Sequence, residues 1–203
     1  ALLTDVEGAL WTSERLAASV CDNPPLNMRI VVAVDPAVSA HKTSDACGIV
    51  VVGAVTEGPV ATWRAFVLED ATVQGASPSQ WAQIAVDAME RHSADRLVAE
   101  VNQGGGLVES VIRQVSDMIP FKGLHASKGK VLRAEPVAAL YEQGRVQHLR
   151  GLGRLEDQMC QMTTSGFAGK GSPDRVDALV WALHELMIAP SLKAQGRPQV
   201  RGL

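Results

Sequence analysis

The chain is 203 residues long, enough for one substantial domain with short flanking segments. Its 46% hydrophobic and 20% charged residues are ordinary for a soluble globular domain, and no apolar run approaches the ~20 residues that a bilayer-spanning helix needs. A net charge of −3 argues against a uniformly basic nucleic-acid binder, and three scattered cysteines (Cys21, Cys47, Cys160) argue for a reducing compartment and against a thiolate metal site.

Residues 1–28 read as an approach segment, without the basic n-region or cleavage site of a signal peptide and without an initiator Met, as in an excised domain. A short helix is expected at 13–20, capped by Thr12 or Ser13, and Asn23-Pro24-Pro25 then forces extended backbone. Residues 30–34, Ile-Val-Val-Ala-Val, are an unbroken apolar run, the pattern of a strand buried on both faces. The run stops at Asp35, and Pro36 removes the next backbone donor. A polar loop at 37–46 carries His41 and Lys42. Strand-like runs at 47–55 and 60–68 follow, separated by Thr56-Glu57-Gly58-Pro59, which predicts an antiparallel hairpin. Ser77 and Pro78 read as the cap and first residue of a helix whose Trp81, Ile84, Ala85, Ala88 and Met89 share one face.

Residues 96–100, Arg-Leu-Val-Ala-Glu, form a second short buried strand that ends in a carboxylate, Glu100. Asn102 and the glycines at 104–106 lead into a helix at 107–118. The glycines are read as a tight strand-to-helix turn in preference to a phosphate cradle, and Asn102 and Gln103 as groups that orient Glu100 or touch a ligand. A strand at 121–125, a helix at 128–143, a strand at 146–149 and helices at 152–163 and 175–188 complete the chain. The tail at 194–203 is polar with Pro and Gly and is expected to lack order. Early antiparallel strands followed by strand–helix alternation imply an α/β fold, a mixed central sheet with helices on both faces in the ribonuclease H-like layout. Trp63 and Trp81 are expected in the core, and His125, at a strand end, in a structural role.

The charge is uneven. Between residues 122 and 154 seven basic residues stand against two acidic ones, a local face that either binds phosphates or is a solvated helix surface. The acids form a pattern of their own. Asp35 and Glu100 end two different buried strands, although Asp35 alone reads more readily as a turn residue before proline. Ser172-Pro173-Asp174-Arg175-Val176-Asp177 opens an apolar helix with Asp174 and Asp177 one turn apart. The helix dipole accounts for Asp174, whereas Asp177 adjoins a wholly apolar stretch and needs a cation or donors if buried. Clustered carboxylates without cysteine select hard divalent ions such as Mg²⁺ or Mn²⁺, and two such ions ~3.5–4 Å apart suit phosphodiester cleavage.

Four stretches carry a resemblance. Ile-Val-Val-Ala-Val-Asp35-Pro36-Ala, Val-Ala-Glu100-Val-Asn-Gln-Gly-Gly, Lys128-Gly-Lys130-Val-Leu-Arg133-Ala-Glu-Pro-Val and Ser-Pro-Asp174-Arg-Val-Asp177-Ala-Leu-Val-Trp-Ala-Leu resemble, in that order, the C-terminal nuclease domain of tailed-bacteriophage or prophage large terminase subunits. Gly8-Ala-Leu-Trp11 is similar to the linker that follows the ATPase domain in that family. The resemblance implies residues 1–28 as linker, 29–190 as nuclease domain and 191–203 as a flexible tail. It implies Asp35, Glu100 and Asp177 as catalytic metal-binding residues, with Asp174 at the position of an additional ligand, and two Mg²⁺ or Mn²⁺ ions. Lys128, Lys130 and Arg133 match a DNA-facing segment, and Lys170, His41 and Lys42 are further candidate DNA contacts from their nearness to the acids.

The implied activity is metal-dependent cutting of concatemeric double-stranded DNA. The implied partners are the ATPase domain of the same full-length chain, the portal protein and the small terminase subunit, in the host-cell cytoplasm. No Gly-x4-Gly-Lys-Ser/Thr motif occurs, so the packaging motor is not in these residues. Two alternatives stay open: a cellular ribonuclease H or Holliday-junction resolvase, and a catalytically silent module that docks on portal protein or DNA.

Overall fold

The computed structural model describes residues 5–36, 46–102 and 105–195. The expected apolar run forms strand β1 (Arg29–Asp35), paired antiparallel with β2 (Ala46–Val55) and parallel with β5 (Arg96–Glu100). β3 (Arg64–Asp70) and the short β4 (Val73–Gln74) pair antiparallel with β2. β6 (Phe121–Leu124) lies parallel to β5, and β7 (Val146–His148) parallel to β3. The sheet order is therefore β6-β5-β1-β2-β3-β7, a mixed sheet as the sequence predicts.

Both faces of the sheet are covered, which is why β1 shows no polar alternation. Val31 and Ala33 enter one core with residues of α4 (Lys130–Glu142), α5 (Gly153–Met159) and α6 (Asp174–Leu183). Val32 and Val34 enter the other with residues of α2 (Pro78–Arg91) and α3 (Gly105–Val115). α2 starts as expected, with a reciprocal capping box between Ser77 and Gln80 and Pro78 in the first turn. Trp81 is buried and Trp63 half-buried. No described helix is long and apolar enough to cross a membrane.

Several elements depart from the expectation. Val60–Thr62 is a 3₁₀ turn instead of the start of a strand. The Arg145 guanidinium donates to the carbonyls of Val60 (2.6 Å) and Trp63 (3.0 Å), giving that turn partners a ladder would otherwise supply. The helix expected at 152–163 ends at Met159, and β8 (Met162–Thr163) with β9 (Gly166–Phe167) forms a separate hairpin. The last helix passes through a π-helical turn, His184–Ile188, and continues as α7 (Ala189–Gln195), so the expected tail is helical to Gln195. His125 is exposed, at odds with its expected structural role.

The approach segment is part of the folded body. α1 (Ser13–Ala18) is capped by the Thr12 hydroxyl, and Trp11 is fully buried, edge-on to Tyr141 at 5.9 Å. Ala9 bridges to Thr163, and Ser19 and Cys21 exchange backbone hydrogen bonds with His148 (2.9 and 2.8 Å). The buried His148 ring lies between the Tyr141 hydroxyl (2.6 Å) and Glu156 Oε1 (3.0 Å), so its polar atoms are satisfied inside the core. Residues 5–28 thus form a strap clasped by α4, β7 and the β8–β9 hairpin.

The π-helical turn carries a buried charge. Glu185 is buried and accepts from Lys122 Nζ of β6 (2.6 Å) and Arg96 Nη1 of β5 (2.9 Å). Burial alone would raise its pKa, but the ammonium and guanidinium outweigh that and hold it below the ordinary carboxylate value. Glu185→Ala should lower unfolding free energy at neutral pH by about 2 kcal/mol, less than for a fully buried pair because both cations keep access to water. Because the folded pKa is depressed, this contribution is complete above the ordinary glutamate pKa and fades as pH falls through the folded value. Urea unfolding of wild type and variant should therefore show a gap at neutral pH that closes in acid.

Candidate metal centre

Asp35 and Glu100 are the last residues of β1 and β5, parallel neighbours whose register runs through the preceding pair, Val34 opposite Ala99. Both carboxylates therefore reach the same edge, at the carboxyl ends of two central strands, where open α/β sheets bind their ligands. Asp177 comes from the first turn of α6, which lies across β1 and β2, and it is 4% exposed. Asp174 opens the same helix.

Two residues that sequence reasoning missed bring α6 to this edge. Gly48 stands opposite Asp35 in the β1–β2 ladder, and a Cβ there would lie 2.0 Å from the Asp174 carbonyl oxygen. The helix start rests on bare backbone that only glycine provides. An isolated glycine inside a β-branched run was the available signal, since such a glycine marks a close backbone approach. The second residue is Gln158 on α5. Pro173, at the cap position, offers no side-chain acceptor, and the Gln158 carbonyl oxygen instead accepts from Arg175 N (2.9 Å) and Val176 N (3.1 Å). Its amide nitrogen donates to Ser172 O (3.3 Å). This cap in trans answers the orphan donors of the helix start, and no local sequence pattern announces it.

The cations expected on a DNA-facing surface turn toward the acids. Arg133 Nη1 donates to Glu100 Oε2 (3.0 Å), Nη2 lies 3.7 Å from Asp177 Oδ1, and the guanidinium stacks over Trp181 at 4.6 Å. The Trp181 indole N–H donates to the same Glu100 oxygen (2.9 Å). Lys130 Nζ donates to Asp177 Oδ2 and to Ser172 Oγ. Lys122 and Arg145, counted earlier with the basic face, are engaged with Glu185 and with backbone carbonyls. Lys128 and Lys170 are exposed. His41, Lys42, Gln103 and Gly104 lie outside the described residues. Asn102 does not serve Glu100: its amide pairs both ways with the backbone of Ala126 (2.7 and 2.9 Å).

Burial raises the Asp35 pKa well above the ordinary aspartate value, and the neighbouring carboxylates Asp177, Glu100 and Asp174 push it further against the opposing Lys130. Asp177 is raised as well, by burial first, with Lys130 and Arg133 acting against it. Among the described residues no three His, Cys, Asp or Glu side chains are gathered closely enough to hold one ion as they stand. Arg133 instead bridges Glu100 and Asp177. The donor chemistry nonetheless fits hard divalent ions: all-oxygen ligands whose burial and mutual repulsion a cation would relieve.

A mixed sheet with carboxylates ending its central strands, and a further pair opening the helix laid across them, defines a domain of the ribonuclease H-like class. The chain belongs to the terminase RNaseH-like domain family, whose model matches residues 32–186. It is similar in structure to the large terminase nuclease domain of phage P22, with TM-score 0.65 and 11% identity over 92% of this chain and 98% of that one. It is also similar to the large terminase nuclease of thermophilic phage G20c with bound cobalt, with TM-score 0.61 and 15% identity over 87% and 97%. The G20c nuclease is also known with bound magnesium and with bound zinc. Against the terminase nuclease domain of human cytomegalovirus the TM-score is 0.55 at 15% identity, covering 82% of this chain and 86% of that one. At these identities the likeness is one of fold. A search of curated proteins finds no match.

Two outcomes test this geometry. Gly48→Ala should push the α6 start off the sheet and weaken Mn²⁺ binding, measured by calorimetry, by about tenfold, the lower range for loss of a supporting contact behind metal ligands. Asp35→Asn should melt above wild type in chelator at neutral pH. A raised carboxylate pKa destabilises the ionised fold fully above the folded pKa, and the penalty vanishes as pH falls to the ordinary aspartate value. Mn²⁺ should then raise the melting temperature of wild type and leave that of the variant unchanged.

Proposed function

We propose that this domain is the metal-dependent endonuclease of a viral large terminase, hydrolysing phosphodiester bonds of concatemeric double-stranded DNA. The observation that carries the reading is the convergence of Asp35, Glu100 and Asp177, from three separate elements, on one rim of the sheet, where burial first and neighbouring carboxylates second raise the pKa of Asp35 and Asp177. Family membership supplies the terminase setting, and the metal-bound G20c structures support a divalent ion.

Asp35, Glu100 and Asp177 would hold two Mg²⁺ or Mn²⁺ ions, with Asp174 beside them as an additional ligand. Bound there, the ions supply activation of water and stabilisation of the leaving oxygen. The chain supplies orientation. Arg133 and the Trp181 indole fix Glu100 Oε2, and Gln158 and Gly48 fix the backbone that carries Asp174 and Asp177. Lys128 and Lys170, exposed on segments flanking the acids in sequence, would meet the DNA backbone, together with His41 and Lys42 from the stretch that follows Asp35 in the sequence. Phosphate contacts of this kind give affinity that falls with salt and little sequence preference. The ATPase domain of the full-length chain, the portal protein and the small subunit would be the partners, at the procapsid in the host-cell cytoplasm.

The test is plasmid nicking with Mg²⁺, Mn²⁺ or EDTA, run beside linear duplex, four-way junctions and RNA–DNA hybrids. Wild type should cut duplex DNA only with metal, and Asp35→Ala, Glu100→Ala and Asp177→Ala should each abolish cutting while remaining folded by circular dichroism. Full activity in all three variants sinks the reading, and a strong preference for junctions or hybrids moves the substrate away from packaging DNA.

A further inference from the structure

We propose that Lys130 is the resident counter-cation of this centre: it holds the Asp177 oxygen that a divalent ion requires, so that metal entry and the Lys130–Asp177 contact exclude one another and Lys130 sets the metal affinity. The inference rests on the reading of the acids as metal ligands.

Both oxygens of Asp177 face cations of the chain. Oδ2 accepts from Lys130 Nζ, and Oδ1 lies 3.7 Å from Arg133 Nη2. The Asp177 side chain is almost wholly buried, so an ion cannot reach it without displacing one of the two. This occupancy also explains why the carboxylates are interleaved with cations in place of being gathered into a cage.

The two cations are not equally replaceable. Arg133 is 11% exposed, stacked on Trp181 and bonded to Glu100, so its removal would break three contacts in a dry site. Lys130 is 44% exposed and is the first residue of α4. It follows Gly129, whose extended backbone starts the helix without a side-chain cap, so no packed turn precedes it. Its other hydrogen bond among the described residues is to the exposed Ser172 hydroxyl, at 3.1 Å. A long aliphatic stem lets the ammonium withdraw to water while its backbone stays in place. Like-charge repulsion at the short range of a shared carboxylate opposes keeping both the ammonium and a divalent ion there. Lys130 is therefore the exchangeable partner and Arg133 the fixed one.

The experiment is calorimetric titration of Mn²⁺ into the metal-free chain, with melting temperatures measured in EDTA and at saturating Mn²⁺. Lys130→Met should bind Mn²⁺ more tightly, on the order of tenfold once solvent screening of the half-exposed charge is allowed for. It should melt below wild type in EDTA, and the deficit should disappear at saturating Mn²⁺, which a merely structural lysine would not produce. Lys130→Arg, which keeps the charge, should stay near the wild-type affinity. Lys128→Met, two residues away on the exposed side, should change affinity less than twofold. Equal or weaker Mn²⁺ binding by Lys130→Met overturns the proposal, as does an equal gain from Lys128→Met. If wild type binds neither Mn²⁺ nor Mg²⁺, the metal reading of the acids fails first and the proposal falls with it.

Discussion

The remainder of this structure depends on a contact between two pieces of main chain. The carbonyl of Asp174 lies against the α-carbon of Gly48, and Gly48 is the ladder partner of Asp35. Two of the acids could reach one edge simply because β1 and β5 are parallel neighbours. The third comes from a helix, and a helix normally packs against a sheet at a distance set by side chains. Here the side chain is missing on one side, so the helix start settles onto the strand and carries Asp177 to the rim. Gln158 then supplies from α5 the hydrogen bonds that Pro173 does not provide at the cap.

Bringing carboxylates this close is electrostatically unfavourable, and the chain offsets it in two ways. Arg133 is held on three sides, by Glu100, by Asp177 and by the face of Trp181, and the indole bonds the same Glu100 oxygen. A planar guanidinium suits that bridging task better than an ammonium, because its donors fork toward two acids while its face stacks. Lys130 supplies a second, more hydrated charge. Even with both in place, burial and the neighbouring carboxylates keep the Asp35 pKa well above the ordinary aspartate value.

Much of the fold was legible from local pattern. The strand ending at Asp35, the strand ending at Glu100 and the capped helix at Pro78 each follow from runs and caps a few residues long, and the acids at their ends needed only the sheet to meet. What escaped was non-local. Val60 looks like a strand residue until Arg145, far along the chain, claims its carbonyl. Lys130 and Arg133 look like a solvated or DNA-facing surface, because charge in sequence does not reveal which way a helix is turned about its axis. The β8–β9 hairpin is two residues per strand, too short for periodicity to register. Trp11, read with a linker, is in the core because Tyr141 packs edge-on against it and the neighbouring Leu10 N–H donates to the Met162 carbonyl.

That strap and the acidic rim meet one helix. It is clasped at Tyr141 and His148, while Lys130 and Arg133 stand at the opposite end of the same helix, α4. Lys130 and Tyr141 are roughly 16 Å apart along its axis at the rise of an α-helix. α4, with Pro136 in its interior, thus touches the 5–28 strap near one end and the acids of the candidate centre at the other. The packing of the strap and the charge balance of the candidate site therefore depend on the same helix.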